Sequence, residues 1–505
     1  MDHRIRDKAL LTRLMSPAEA AELIEDGMTV GTSGFTPAGY PKAVPLALAR
    51  RVKREGLDLK ISLWTGASVG DELDGALVDA QVLSRRLPYQ SQATLRRAIN
   101  DAHVYYIDQH LSHTAELVRS GQLGRLDVAI VEAVAITEDG GIVPSTSVGN
   151  SPTFVQAAEK VIVEINSAQP LGLEGLHDIY IPETRPGRRP IPLVRPLDRI
   201  GTPYIPVDRD KIAAIVLTHS PDSVKPFSPP DPVSVGIAEH LCAFLQQEVR
   251  EGRLPENLLP LQSGVGNVAN AVLGGLEEAG FRQVEVYSEV LQDAVFDLLD
   301  AGVVACASGC SVTLSPQRLK AFFDNIDEYR KQVVLRPQEI TNHPEIIRRL
   351  GLIAINTAVE IDIFGNVNST HILGHRMVNG IGGSGDFTRN AYISIFVTPS
   401  TTKNGHISCI VPMVSHVDHT EHDVDVVVTE CGLADLRGLS PRERARVIID
   451  NCAHPDYRAE LRAYLDRAER EVGGHTPQLL AEAFAMHRRF MEQGSMRAGP
   501  IRVAG

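Results

Sequence analysis

The runs Leu126-Asp127-Val128-Ala129-Ile130-Val131 and Val161-Ile162-Val163-Glu164-Ile165 decide the fold class. Each is short and nearly continuous in apolar residues, which is the pattern of a strand buried on both faces. Such runs alternate with helical patterns along the chain, so the sequence predicts parallel sheet covered by helices on either side, an α/β fold. Ser16-Pro17-Ala18-Glu19 and Ser440-Pro441-Arg442-Glu443 read as helix starts, with serine as N-cap, proline at the first helical position and glutamate closing a capping box. Their role is structural.

A chain of 505 residues is too long for one core and implies two domains, or three. Seven prolines between Pro182 and Pro206 and five more between His219 and Pro232 exclude regular elements from both stretches. Between them, Ile212-Ala213-Ala214-Ile215-Val216-Leu217 reads as the last buried strand of a first domain. The expected division is therefore an N-terminal α/β domain over 1–218, a proline-rich linker over 219–232 and a C-terminal α/β domain over 233–505. The segment from Pro455 to Gln493 is charged, carries Leu, Ala and Phe at three- and four-residue spacing, and is expected to be a helical tail packed outside the second domain.

Composition narrows the partners. A formal net charge of -13 argues against nucleic acid or an anionic membrane, both of which require a basic surface. No stretch approaches the apolar length of a membrane span, and the beginning Met1-Asp2-His3-Arg4-Ile5-Arg6-Asp7-Lys8 lacks the apolar core of a signal peptide. Cys242, Cys306, Cys310, Cys409, Cys431 and Cys452 show no C-x-x-C spacing, which fits a reducing, cytoplasmic setting without a disulfide framework or zinc knuckle. His416, His419 and His422 are spaced by three. On a strand that spacing throws successive side chains to opposite faces, so no metal site is expected there.

Two segments about twenty residues apart carry the chemistry: Gly264-Val265-Gly266-Asn267-Val268-Ala269-Asn270 and Val284-Glu285-Val286-Tyr287-Ser288-Glu289. A glycine loop before a helix lets backbone approach a ligand, and Glu289 falls at the end of the next strand. One reading is a dinucleotide-binding unit with the acid near a ribose. The other is an anion cradle beside a nucleophilic carboxylate, for acyl transfer through a covalent glutamyl intermediate.

Further segments accompany them: Ala305-Cys306-Ala307-Ser308-Gly309-Cys310-Ser311, Ile340-Thr341-Asn342-His343-Pro344, Asn379-Gly380-Ile381-Gly382-Gly383-Ser384-Gly385-Asp386-Phe387, Lys403-Asn404-Gly405 and Thr429-Glu430-Cys431-Gly432. Taken singly each is a turn or a strand end. Together, with Ser288-Glu289-Val290-Leu291-Gln292-Asp293 and the run from Thr429 to Gly438, the chain resembles the acetyl-CoA hydrolase/transferase family. It is most similar there to the succinyl-CoA:acetate CoA-transferases, within the class I CoA-transferases. The resemblance extends to Gly66-Ala67-Ser68, Tyr106-Ile107-Asp108-Gln109-His110 and Pro144-Ser145-Thr146-Ser147-Val148-Gly149-Asn150, and so covers most of the chain.

That resemblance implies two tandem, related α/β domains of the NagB/RpiA-like fold, with the active site between them and acyl-CoA bound chiefly by the C-terminal one. It implies that Glu289 is the catalytic glutamate, attacking the thioester to give a mixed anhydride that the CoA thiolate converts to a glutamyl-CoA thioester. Backbone N–H groups of Val265 and Gly383 and the side-chain amide of Asn342 are then oxyanion donors. Gly264, Val265, Gly266, Asn267, Val268, Val359, Asn379, Gly383 and Lys403 match CoA-contacting positions, Lys403 facing anionic groups. Glu430 matches a second acid, with an orienting or proton-handling role set against a structural one. Ser223 stands where the nearest transferases carry arginine. The implied enzyme is a homodimeric, cytoplasmic CoA-transferase of acetate and acetyl-CoA metabolism, taking acyl-CoA and short carboxylates, with CoA as substrate and no other cofactor. Acetyl-CoA hydrolysis by the same glutamate is the nearest alternative; a dinucleotide-dependent dehydrogenase and a non-catalytic acyl-CoA sensor are more distant ones.

Overall fold

A computed structural model describes residues 2–499 except 223, 225–228, 230 and 265. Val265 and Ser223 therefore lie outside the described residues, as does the side chain of Asn267. The chain forms two compact units, each built from separate stretches: Met1–Phe227, Gln283–Leu350 and Asn379–Asp386 in the first, Ser228–Arg282, Gly351–Val378 and Phe387–Gly505 in the second.

In the first unit the predicted strands appear as Val128–Ile136, Lys160–Asn166 and Ile212–Thr218, paired in parallel in that order. All nine residues of Val128–Ile136 are buried, which explains its unbroken apolar pattern. Beyond it the sheet continues in parallel through Thr29–Thr32, Ile61–Trp64, Leu83–Leu87 and Tyr105–Tyr106, while Ile142–Pro144 folds back antiparallel on Val128–Ile136. Helices such as Ala43–Glu55 lay Val44, Leu48 and Val52 onto Val30, Ile61 and Leu63 in one core.

The stretch Gln283–Leu350 adds parallel strands Val284–Tyr287, Val304–Gly309 and Val333–Leu335. Among the described residues these strands are not paired with the sheet of Val128–Ile136, and backbone bonds tie the stretch to the first unit. Val312 N donates to Thr146 O (2.8 Å), Val148 N to Cys310 O (2.9 Å), Gln338 N to Gly149 O (2.9 Å) and Asp178 N to Leu335 O (2.8 Å). A fully buried Arg336–Asp178 ion pair completes the joint, and Arg336 also donates to Pro196 O at 2.8 Å. The compact units thus differ from the contiguous domains expected from sequence. The chain first leaves the first unit at Phe227, inside the expected linker, but then returns to it twice.

The second unit holds parallel strands Leu261–Ser263, Ile353–Thr357, Ile393–Val397 and Val426–Thr429, with Gly432–Asp435 antiparallel against the last. The C-terminal tail is helical over Pro455–Glu471 and Ala485–Gln493. It goes further than an external cover: Tyr457, Leu461 and Leu465 are buried in the same cluster as Ile361, Phe396 and Val427. Both capping boxes, at Ser16–Glu19 and Ser440–Glu443, are formed. Among the described residues no helix is long and apolar enough to cross a membrane.

Candidate active site

Glu289 lies between the strand Val284–Tyr287 and the two-residue strand Val290–Leu291. Its carbonyl accepts from Cys310 N (2.8 Å) and Ser311 N (3.1 Å), so its backbone is held. Around it, Phe35, Ala67, Leu111, Val290 and Cys310 form an apolar cluster with Tyr89 packed against it.

Asn342 caps the C-terminus of the short helix Gln338–Thr341 and is fully buried. Its Nδ2 donates to Glu289 Oε1 at 2.6 Å and to Asp386 Oδ2 at 3.3 Å. Thr341 Oγ1 lies 2.9 Å from Asn342 Oδ1, where a hydroxyl donates to an oxygen, and this orients the NH2 toward the carboxylates. Asp386 in turn accepts from Ser112 N (2.9 Å) and Ser112 Oγ (2.5 Å) at the start of the helix Leu111–Arg119.

These surroundings set the electrostatics. Burial pushes the Glu289 carboxyl up to about 8; the Asn342 hydrogen bond works against this and the charge of Asp386 adds to it. Burial likewise pushes Asp386 up to about 7, against the hydrogen bonds from Ser112 and Asn342. A carboxylate that gives up its proton only near neutral pH or above is a stronger nucleophile than an ordinary surface glutamate.

Gly383 meets the same pair. A Cβ built on it would overlap the Glu289 carboxylate and the Asn342 amide, so the absence of a side chain is what lets the carboxylate lie there. The rest of its loop is held by the motif Tyr106–His110. Asp108 accepts from Ile381 N (3.0 and 2.9 Å), Tyr106 lies against Gly380 and His110 against Gly385. Sequence thus places Glu289, Asn342 and Gly383 as candidates, and the fold brings all three together. Asp386 and Ser112 join them without having been singled out. Asp386 ends the glycine-rich run, but its partner lies 274 residues away, and Ser112 follows the start of a helix, where serine ordinarily reads as a local cap.

The other described candidates fall in the second unit, apart from Asn379, whose Nδ2 donates to Gly380 O at 2.9 Å within the first. Gly264 N donates to Ile355 O (3.0 Å). Gly266 precedes the helix Asn267–Glu278 with φ 123°, a conformation that excludes ordinary side chains although the space beside it is open. Gly266 and Val268 line a cavity of about 420 Å3 with Asp231, Ser234, Thr357 and Thr401. Val359 N donates to Asn368 O at 2.8 Å. Lys403 is exposed on a turn, its Nζ 5.1 Å from the centre of the Phe490 ring. The Glu430 carboxylate accepts from both the backbone N–H (2.8 Å) and the hydroxyl of Ser400. His416 lies 3.3 Å from Asp418 and His419 against the ring of Phe396, and His422 is exposed.

The model of the acetyl-CoA hydrolase/transferase N-terminal domain matches residues 1–217, and that of the C-terminal domain residues 319–465. Over 496 residues the chain is 52% identical to a succinyl-CoA:acetate CoA-transferase from Clostridium kluyveri, spanning 98% of this chain and 92% of that one. It is 47% identical over 509 residues to an acetyl-CoA hydrolase from Neurospora crassa, spanning 98% and 97%. Its fold is similar to RipA from Yersinia pestis, with a TM-score of 0.71 at 24% identity over 90% of this chain and 98% of that one.

Proposed function

The chain belongs to the acetyl-CoA hydrolase/transferase family, and from that premise we propose that it moves CoA between succinyl-CoA and acetate through a thioester on Glu289. The observation that carries this reading is the Glu289 carboxylate, set in an apolar surround, bonded to the Asn342 amide at 2.6 Å and lying against Gly383.

Ionised Glu289 attacks the thioester carbonyl carbon, the carbonyl electron pair moving onto oxygen. Collapse of that tetrahedral species expels the CoA thiolate and leaves a mixed anhydride. The thiolate attacks the glutamyl carbonyl, releasing the first acid and leaving CoA bonded to Glu289, and an incoming carboxylate reverses the sequence. Each tetrahedral stage carries an oxyanion, and a fixed donor such as the Asn342 N–H is worth about 10²- to 10³-fold in rate. The Gly383 N–H is the second donor in this reading. The CoA contacts in this reading are the positions the resemblance gives, Gly264, Val265, Gly266, Asn267, Val268, Val359, Asn379, Gly383 and Lys403, and CoA is a substrate, with no other cofactor. Glu430 acts from its bond to Ser400 as an orienting acid. The setting is the cytoplasm, and the working form is a homodimer.

Acetyl-CoA hydrolysis is the second reading, favoured by the 47% identity to a hydrolase. It needs only that water replace the acceptor acid. Assaying CoA release and acetyl-CoA formation from succinyl-CoA, with and without acetate, separates the two. Transfer predicts acetyl-CoA in proportion to acetate with little free CoA, whereas acetate-independent release of free CoA at the full rate would establish hydrolysis.

A further inference from the structure

Resting on that reading of Glu289, we propose that Asp386, held by Ser112, is a positioning residue that fixes the plane of the Asn342 amide, so that one N–H follows the negative charge from Glu289 to the tetrahedral oxyanion. Asn342 Nδ2 carries two protons, and the fold places a carboxylate oxygen in front of each, Glu289 Oε1 at 2.6 Å and Asp386 Oδ2 at 3.3 Å. When Glu289 attacks, the C–O bond that forms removes its charge, and the displaced carbonyl pair appears on the new oxyanion. The N–H that faced Glu289 loses its acceptor at the moment the oxyanion needs a donor. The second N–H stays on Asp386, whose charge does not change during the step, and the amide turns about a held point instead of being lost to another partner.

The anchoring of Asp386 supports this role. It receives the Ser112 backbone N–H at 2.9 Å, the Ser112 hydroxyl at 2.5 Å and the Leu111 backbone N–H, so its oxygens are held by two successive residues at a helix start. Thr341 Oγ1, at 2.9 Å from Asn342 Oδ1, holds the other end of the amide. A purely structural role is the competing account, because Asp386 also caps the helix Leu111–Arg119, whose own N-cap residue His110 makes no side-chain cap bond. The charged group that faces it across the Asn342 amide is Glu289, and His110 lies against the neighbouring Gly385.

Asp386→Asn separates the two accounts. Asparagine caps helices well, so the structural account predicts an unchanged kcat and pH profile at a nearly unchanged Tm. An amide in that place has no negative charge to hold the Asn342 N–H. The positioning account therefore predicts a kcat lower by about 10- to 100-fold, a KM for acyl-CoA within about threefold, and an acid limb of kcat/KM displaced downward by about half a pH unit or more, because Glu289 loses a like-charged neighbour. Ser112→Ala, which removes one anchor and leaves the carboxylate, should lower kcat by about three- to tenfold without moving the acid limb. Wild-type kcat and pH profile in Asp386→Asn would overturn the proposal, and so would a kcat that falls only in step with the folded fraction. Should Asp386→Asn fold poorly, an unchanged kcat in Ser112→Ala would overturn it. Glu289→Ala, run beside them, keeps the failures apart: activity there removes the covalent reading itself, whereas an inactive Glu289→Ala with a normal Asp386→Asn removes only the role of Asp386.

Discussion

Gly383→Ala tests the close approach on which the site depends. The new Cβ would overlap Glu289 Oε1 and Asn342 Nδ2. Asn342 is fully buried between Thr341 and Asp386 and has nowhere to go, whereas the Glu289 carboxylate is the far end of a flexible side chain and can swing aside. Swinging Glu289 aside leaves the overlap with Asn342, so Tm should fall as well, and activity is compared per folded molecule. Chemistry should not survive the same movement. The 2.6 Å bond from Asn342 is lost; a hydrogen bond to a charged group is worth about 1.5–3 kcal/mol, and displacing a reacting group by about 1 Å costs about 10²-fold. Together these place the fall in kcat at about 10³- to 10⁴-fold, with the KM for acyl-CoA changed far less. Steady-state transfer assays beside thermal unfolding of the same preparation give both numbers. A variant that retains kcat within threefold would refute the packing of Glu289 against Gly383 as a requirement of the reaction.

Asn342→Ala should lower kcat by about 10²-fold while leaving CoA affinity within a few-fold, since the donor acts on developing charge; an effect confined to KM would make Asn342 a binding residue. Glu289 has an ordinary value of 4.5 raised by burial to about 8, so between those values the folded protein holds more protons than the unfolded chain and stability falls as pH rises. Glu289→Gln, which cannot ionise, should raise Tm at pH 8.5 and lose that advantage toward pH 4.5, and a pH-independent difference would contradict the burial argument. Arg336→Ala strands Asp178 in the first unit, and breaking a buried pair in this way costs about 3–5 kcal/mol; chemical denaturation showing a loss below about 1 kcal/mol would mean the pair does not hold Gln283–Leu350 in place.

The strands were legible because burial on both faces leaves an unbroken apolar run, as in Val128–Ile136. The capping boxes at Ser16 and Ser440 were legible because both partners lie within three residues. Glu289, Asn342 and Gly383 could be named from the resemblance, and their contact is a property of the fold. The return of Gln283–Leu350 to the first unit was not legible, since it rests on backbone bonds such as Val312 N to Thr146 O that any residue type can make. Asp178 and Arg336 left no local signal either, being a buried pair 158 residues apart. Asp386 escaped for a related reason: an acid after a glycine-rich turn reads as solvated until Ser112 and Asn342 are seen to surround it.

The central claim is that CoA is bonded to Glu289 during turnover. Incubating the protein with succinyl-CoA and no acceptor, followed by proteolysis and mass spectrometry, should find CoA on the peptide containing Ser288-Glu289, and borohydride should reduce that thioester and abolish activity. Acetate added before the quench should remove the adduct as acetyl-CoA appears. Turnover with no adduct at Glu289, or an active Glu289→Ala, would contradict the account.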